Sequence, residues 1–225
     1  MINHSFQSLK SQFVQKVFKQ SWWMAFLAFS GIYILLTLFS NNYIFTKELY
    51  YQNFSDRTTF QSIQDFIQMR NKLWWLNFLI QPLFVLLKVT FATICVSISA
   101  MLSNIEFELK TVFKAVLFAE SVFIVVHILF LINLYLHIET IMIENISSYY
   151  PLTLLSFYGI ENVVQWLHYP LKTLNIFEIL YAIAIAYFAS IQWKLNFTET
   201  FAIVAPSYLT GLILWIMLVI FLTLN

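Results

Sequence analysis

Two ionisable side chains stand in apolar stretches that would ordinarily exclude them. Lys88 lies near the middle of Trp74–Leu102, WWLNFLIQPLFVLLKVTFATICVSISAML, and Glu120 lies in the apolar run Thr111–His137. A charge at the centre of a bilayer costs roughly 2.5–3.5 kcal/mol even on lenient insertion scales, so it marks pairing, proton or ion movement, or a polar path. At 1.5 Å per residue, Lys88 is roughly 22 Å from the Ser103 end of its run and Glu120 roughly 16 Å from the Leu109 end of its own. A lysine stem covers most of that difference, so the two can meet between antiparallel helices. Three outcomes stay open: a structural ion pair that fixes helix register, a proton or ion path, or two charges each finding water. His127 and Asn133 follow on the Glu120 run, where hydrogen bonds between helices are the expected use of such groups.

Beyond these residues, little in the chain carries a mechanism. HExxH, Walker A, GxSxG and GxGxxG patterns are all missing, so neither nucleotide nor serine hydrolysis is indicated. Glu139, Glu144, Glu161 and His168 share one loop without a ligand spacing, and neither a metal nor a cofactor is expected. The single cysteine, Cys95, excludes a disulfide within the chain and any cysteine-based zinc site. The net charge of +1 leaves no basic footprint for a nucleic acid. No catalytic residue is expected.

The elements that must position Lys88 and Glu120 are membrane spans. The chain is 60% hydrophobic and 10% charged, where globular domains carry about 25% charged residues. Apolar runs that reach roughly the 20 residues needed to cross a bilayer predict five helical spans, over about 22–40, 74–102, 111–137, 174–193 and 201–224. The expected fold is an all-α polytopic bundle, 22–225, with amphipathic helices on its surface. Pro82 interrupts the second span and Pro206 bends the fifth. Residues 1–21 place Phe6, Leu9, Phe13, Val17 and Phe18 on one helical face among Lys10, Lys16 and Lys19. That pattern fits a basic helix on the cytoplasmic membrane surface or an extension of the first span. In the connector 41–73, Phe60, Ile63, Phe66 and Ile67 recur at helical spacing and predict a surface helix over 56–72. Phe13, Phe18, Ile63 and Phe66 are thus the candidate surface for lipid or a partner. The segment 151–159 is apolar but too short to span, so it is either interfacial or re-entrant.

Lysine and arginine in short loops set orientation. The N-terminal segment, Lys110 with Lys114, and Lys194 place those ends in the cytoplasm, while the third connector carries three glutamates against Lys172. Five spans then put the C-terminus outside. Sequons at Asn53, Asn145 and Asn196 matter only in a eukaryotic secretory host, and the Ile, Phe, Asn and Lys bias points to a bacterial inner membrane.

Three segments in order carry a resemblance. They are Pro151-Leu152-Thr153, Leu174-Asn175-Ile176-Phe177-Glu178 and Ala205-Pro206-Ser207-Tyr208, following a short turn into FELKTVFKAVLFAESVFIVVHIL. Over roughly 74–224 the chain resembles the Yip1-type membrane domain of bacterial proteins and of the eukaryotic YIPF proteins. That resemblance implies a five-helix membrane domain without known catalysis. The expected role is a non-enzymatic scaffold or partner subunit, in contact with lipid and with other membrane proteins or further copies of itself. The alternative is a small transporter or permease component that uses Lys88, Glu120 and His127 in one cavity.

Overall fold

The computed structural model describes residues 21–224, so Phe13 and Phe18 lie outside the described residues. Every described element is a helix or short helical turn, apart from one isolated β-bridge between Thr153 and Asn175. Five helical segments are long and apolar enough to cross a membrane: Trp22–Tyr43, Trp74–Leu102, Leu109–Leu136, Ile176–Trp193 and Phe197–Leu224. The chain is a multi-pass, all-α membrane protein.

The first span is α1 (Trp22–Tyr43), followed by the connector helices α2 (Lys47–Phe54) and α3 (Phe60–Lys72). A 3-10 turn at Trp74–Leu76 leads into α4 (Asn77–Leu102). The third span comes in two pieces, α5 (Leu109–Ala119) and α6 (Ser121–Leu136). A long connector then holds the short helices α7 (Leu154–Tyr158) and α8 (His168–Thr173). The chain ends in α9 (Ile176–Trp193) and α10 (Phe197–Leu224). Both prolines lie inside their helices, Pro82 in α4 and Pro206 in α10.

Four of these helices form a closed ring, α4–α5–α9–α10, each packed on the next, with α1 laid against α4, α5 and α6. Small residues make the ring tight. Ala115 and Ala119 of α5 and Ala182, Ala186 and Ala189 of α9 are all buried in one cluster with Val89, Val96, Val112, Val116 and Val204. Lipid supplies no hydrophobic force between helices, so close backbone approach and dispersion must hold them. With only three glycines in the chain, glycine-based close crossings are not what the sequence predicts, yet α10 meets α4 at one. A methyl group on Gly211 would overlap Cys95 Sγ, and Ser207 Oγ donates to the Cys95 carbonyl beside it.

The two long connectors meet on one face of the bundle. Asn53 Nδ2 donates to the Ile141 carbonyl at 3.0 Å, and Asn53 Oδ1 accepts from the Ile143 N–H at 2.9 Å. Gln52 Nε2 reaches the Glu139 carbonyl at 2.8 Å, and Arg57 pairs with Glu144. The Asn53 amide of the first sequon is therefore spent on the protein. On the opposite face the turns are short, and the left-handed residues Asn104 and Lys194, at φ 53° and 55°, reverse the chain.

The amphipathic reading of 56–72 holds from Phe60 onward, where Thr59 accepts from the Ser62 N–H as the N-cap. Its assignment of Ile63 to a lipid or partner surface does not. Ile63 and Ile67 are 5% and 4% exposed, packed with Tyr50 of α2. The apolar face of α3 is covered by a helix that sequence periodicity did not reveal, whereas Phe66 remains 46% exposed.

Candidate functional site

Each of the five spans sends a polar side chain to one height. Tyr33 of α1, Lys88 of α4, Glu120 between α5 and α6, Glu178 and Tyr181 of α9, and Tyr208 of α10 all lie roughly 16–22 Å from the short-turn end of their helices. Ring closure then brings them together.

Glu120 sits at a tightened turn within its own span. Its N–H bonds to the Leu117 carbonyl at 3.1 Å, a turn tighter than α-helical, and the ordinary pattern resumes at Ile124. Its backbone keeps helical torsions, φ −55° and ψ −19°, so the span expected over 111–137 continues through the carboxylate. The side chain is 1% exposed. Lys88 Nζ lies 3.1 Å from Glu120 Oε1 and 3.4 Å from Oε2, and only the second contact has hydrogen-bond alignment. Tyr33 OH donates to the same Oε2 at 3.1 Å. The ammonium also sits 3.0 Å above the centre of the Phe123 ring and 5.1 Å from that of Tyr181. Ring faces stabilise a cation that has left water.

A second carboxylate completes the layer. Asn175 caps α9 by accepting the Glu178 N–H at 3.0 Å, which fixes the first turn. The Glu178 side chain then points into the bundle, where Tyr208 OH donates to its Oε2 at 2.5 Å. The Tyr208 ring meets Tyr181 edge-on at 5.2 Å, and Tyr181 meets Phe123 at 4.9 Å. The ammonium thus pairs with one carboxylate and the second is held by a phenol, with three phenols in the layer. Chemically, such a layer either locks five helices in register or holds and passes a proton.

The contact between Lys88 and Glu120 excludes the outcome in which the two charges never meet, and both the register-fixing pair and the proton or ion path are compatible with it. His127 does not join it directly. Its ring packs edge-on to Tyr33 at 6.1 Å and beside Phe130 at 6.2 Å. Asn133 was expected to bond between helices, but its amide donates to the Tyr149 carbonyl at 2.7 Å. Asn133 stands at the last turn of α6, where a loop carbonyl is the nearer acceptor. Glu139, Glu144, Glu161 and His168 stay apart. Glu144 pairs with Arg57 and His168 bonds the Val163 carbonyl, and no cluster fit for a metal occurs among the described residues.

Tyr33 and Tyr181 were not singled out from sequence, Tyr208 entered only within the resemblance, and Glu178 was read only as a favourable residue at the N-terminus of its helix. Glu178 opens an apolar run, where an acidic residue reads as a favourable dipole partner. The signal was present in its face: Glu178, Tyr181, Ala182, Ile185 and Ala189 follow i, i+3, i+4, i+7, i+11 and are all buried. Above the layer, Lys172 lies over the Tyr150 ring at 4.1 Å, and Tyr150 stacks on Phe130 at 3.9 Å. Burial lowers the Lys172 ammonium below its usual range and raises the Tyr150 phenol.

No family model, curated protein or solved structure matches the chain.

Proposed function

We propose that this chain is a non-catalytic membrane subunit that works by binding another membrane protein. One observation carries the reading: the mid-span ammonium and both carboxylates are spent on partners inside the bundle. Lys88 pairs with Glu120, Glu120 accepts from Tyr33, and Glu178 accepts from Tyr208. A layer used in this way fixes register, which is the best attested use of buried polar groups. Recognition then falls to the surface, where Phe60, Phe66 and Met69 of α3 stand exposed on the connector face. The resemblance to Yip1-type domains, an inner-membrane location and a cytoplasmic N-terminus belong to the same proposal.

The test is co-purification from the native membrane in mild detergent. Phe66→Glu with Met69→Glu, and separately removal of Met1–Gln20, are expected to release a bound membrane protein while the bundle stays folded. Unchanged recovery in both variants refutes the role of these surfaces. A second reading, a transporter component, is favoured by two features. The Lys88 side chain keeps 38% of its surface exposed, and the third span tightens by one turn at Glu120. Solute flux into liposomes by the purified chain, abolished in Lys88→Ala, would establish that reading instead.

A further inference from the structure

A cavity of about 540 Å³ opens on the connector face, well away from the polar layer. Three elements frame it: the end of α1 through Leu38, Asn41 and Asn42, the end of α3 through Arg70 and Asn71, and the start of the second span through Trp74, Asn77 and Ile80. Its volume falls within the range of small-molecule sites, roughly 300–1,000 Å³. Four asparagines and one arginine line it, with no carboxylate among the lining residues.

Three properties of the lining point to one kind of occupant. Among the described residues, none of the four amides has a side-chain hydrogen bond, so eight N–H donors and four oxygen acceptors remain for a ligand, about the number that amide chemistry allows. Arg70 is held in place, donating to the Phe45 carbonyl at 2.7 Å with its guanidinium 5.0 Å from the Tyr50 ring centre. Its remaining donors suit a phosphate oxygen. Finally, the apolar part of the wall belongs to the spans themselves. Leu38 and Ile80 lie on α1 and α4, and the Trp74–Trp75 pair marks the height at which headgroups meet hydrocarbon. A soluble anion has no use for that wall, but an acyl chain does.

We propose that this cavity binds a single glycerophospholipid whose headgroup is anionic and carries free hydroxyls. Arg70 takes the phosphodiester, the Asn41, Asn42, Asn71 and Asn77 amides take the hydroxyls, and the first acyl carbons run along Leu38 and Ile80. Phe66 and Met69, on the surface proposed above for a partner, also border this cavity, and lipid retention is read separately from co-purification of a protein.

The experiment is native mass spectrometry of the full chain released from detergent, with phosphatidylglycerol or phosphatidylcholine added. Retention of phosphatidylglycerol is expected to exceed that of phosphatidylcholine by about tenfold. Arg70→Gln should erase the preference. Because Arg70 also ties α3 to Phe45, the exposed pair Asn42→Leu with Asn71→Leu provides a second variant that leaves that tie intact, and it too should lose the preference. Soluble glycerol phosphate, lacking acyl chains, should fail to displace the lipid. Equal retention of the two lipids, or an unchanged preference in the asparagine pair, overturns the proposal. Displacement by glycerol phosphate also overturns it, in favour of a free phosphate site.

Discussion

Replacing Lys88 should cost more than replacing Glu120, although the two belong to one ion pair. At 3.1 Å and an effective dielectric of about 20, the pair attracts by roughly 5 kcal/mol before desolvation is subtracted. The two partners differ in what each leaves behind. Lys88→Met strands a carboxylate that is 1% exposed, with only the Tyr33 hydroxyl donating to it. Breaking a buried pair in this way costs about 3–5 kcal/mol. Glu120→Gln strands an ammonium whose side chain is 38% exposed and which rests on the Phe123 ring. The lysine stem can snorkel toward a membrane surface, and the glutamine oxygen can still accept from Tyr33, so a loss of about 1–2 kcal/mol is expected. The double variant carries no stranded charge and should lie closer to wild type than Lys88→Met alone. Unfolding free energies from reversible SDS titration in mixed micelles give the cycle directly. Additive losses, or Glu120→Gln as the costlier change, refute the pairing as described.

Other expectations follow from contacts elsewhere in the bundle. Gly211→Ala should destabilise by about 1–3 kcal/mol through overlap with Cys95, and Cys95→Ala in the same chain should restore most of the loss in detergent melting. Asn53→Leu removes both connector bonds to Ile141 and Ile143, worth about 1–3 kcal/mol together, and should raise hydrogen exchange in α2 and α3 without moving the spans. Burial depresses the Lys172 pKa from 10.5, so the unfolded chain binds more protons just below that value and stability should rise with pH there. Tyr150 is shifted upward from 10.0, so its contribution is lost as pH climbs beyond that value, and Lys172→Met should remove only the rising limb of a melting-temperature profile. Single cysteines at Glu108 and Glu139 in a Cys95→Ser background test orientation. An impermeant reagent added outside should label position 139 and spare 108.

What sequence could reveal depended on whether a residue's partner lay on its own element. The five spans were legible because an apolar run of that length has no other use, and their ends fell within a few residues of the helices observed. Lys88 and Glu120 were legible because charge stands out against such a run. The rest of the layer was hidden by ordinariness. Tyr33, Tyr181 and Tyr208 are three of twelve tyrosines, and phenols in membrane helices usually mark interfaces. Ile63 was misplaced for a related reason. An amphipathic pattern says that one face is apolar but not whether lipid or protein covers it, and the short α2 that covers it has little periodicity of its own. The tightened turn at Glu120 lacked even a proline or glycine to announce it.

The unequal lengths of the spans decide how this protein meets membranes of different thickness. Eighteen residues of α9 rise only about 27 Å, whereas the twenty-eight of α10 rise about 42 Å. Beside the outer third of α10 the shortfall is filled by the chain itself. Trp215 donates its indole N–H to Tyr169 OH at 2.7 Å, and the turn at Gln165–Leu167 packs on the same helix. On that flank the apolar height is therefore set by a folded loop rather than by the length of a helix. Hydrophobic mismatch is usually absorbed by tilting a span. Here the segment 165–173 shares that flank with α10, so a change in bilayer thickness bears on its packing as well as on helix tilt.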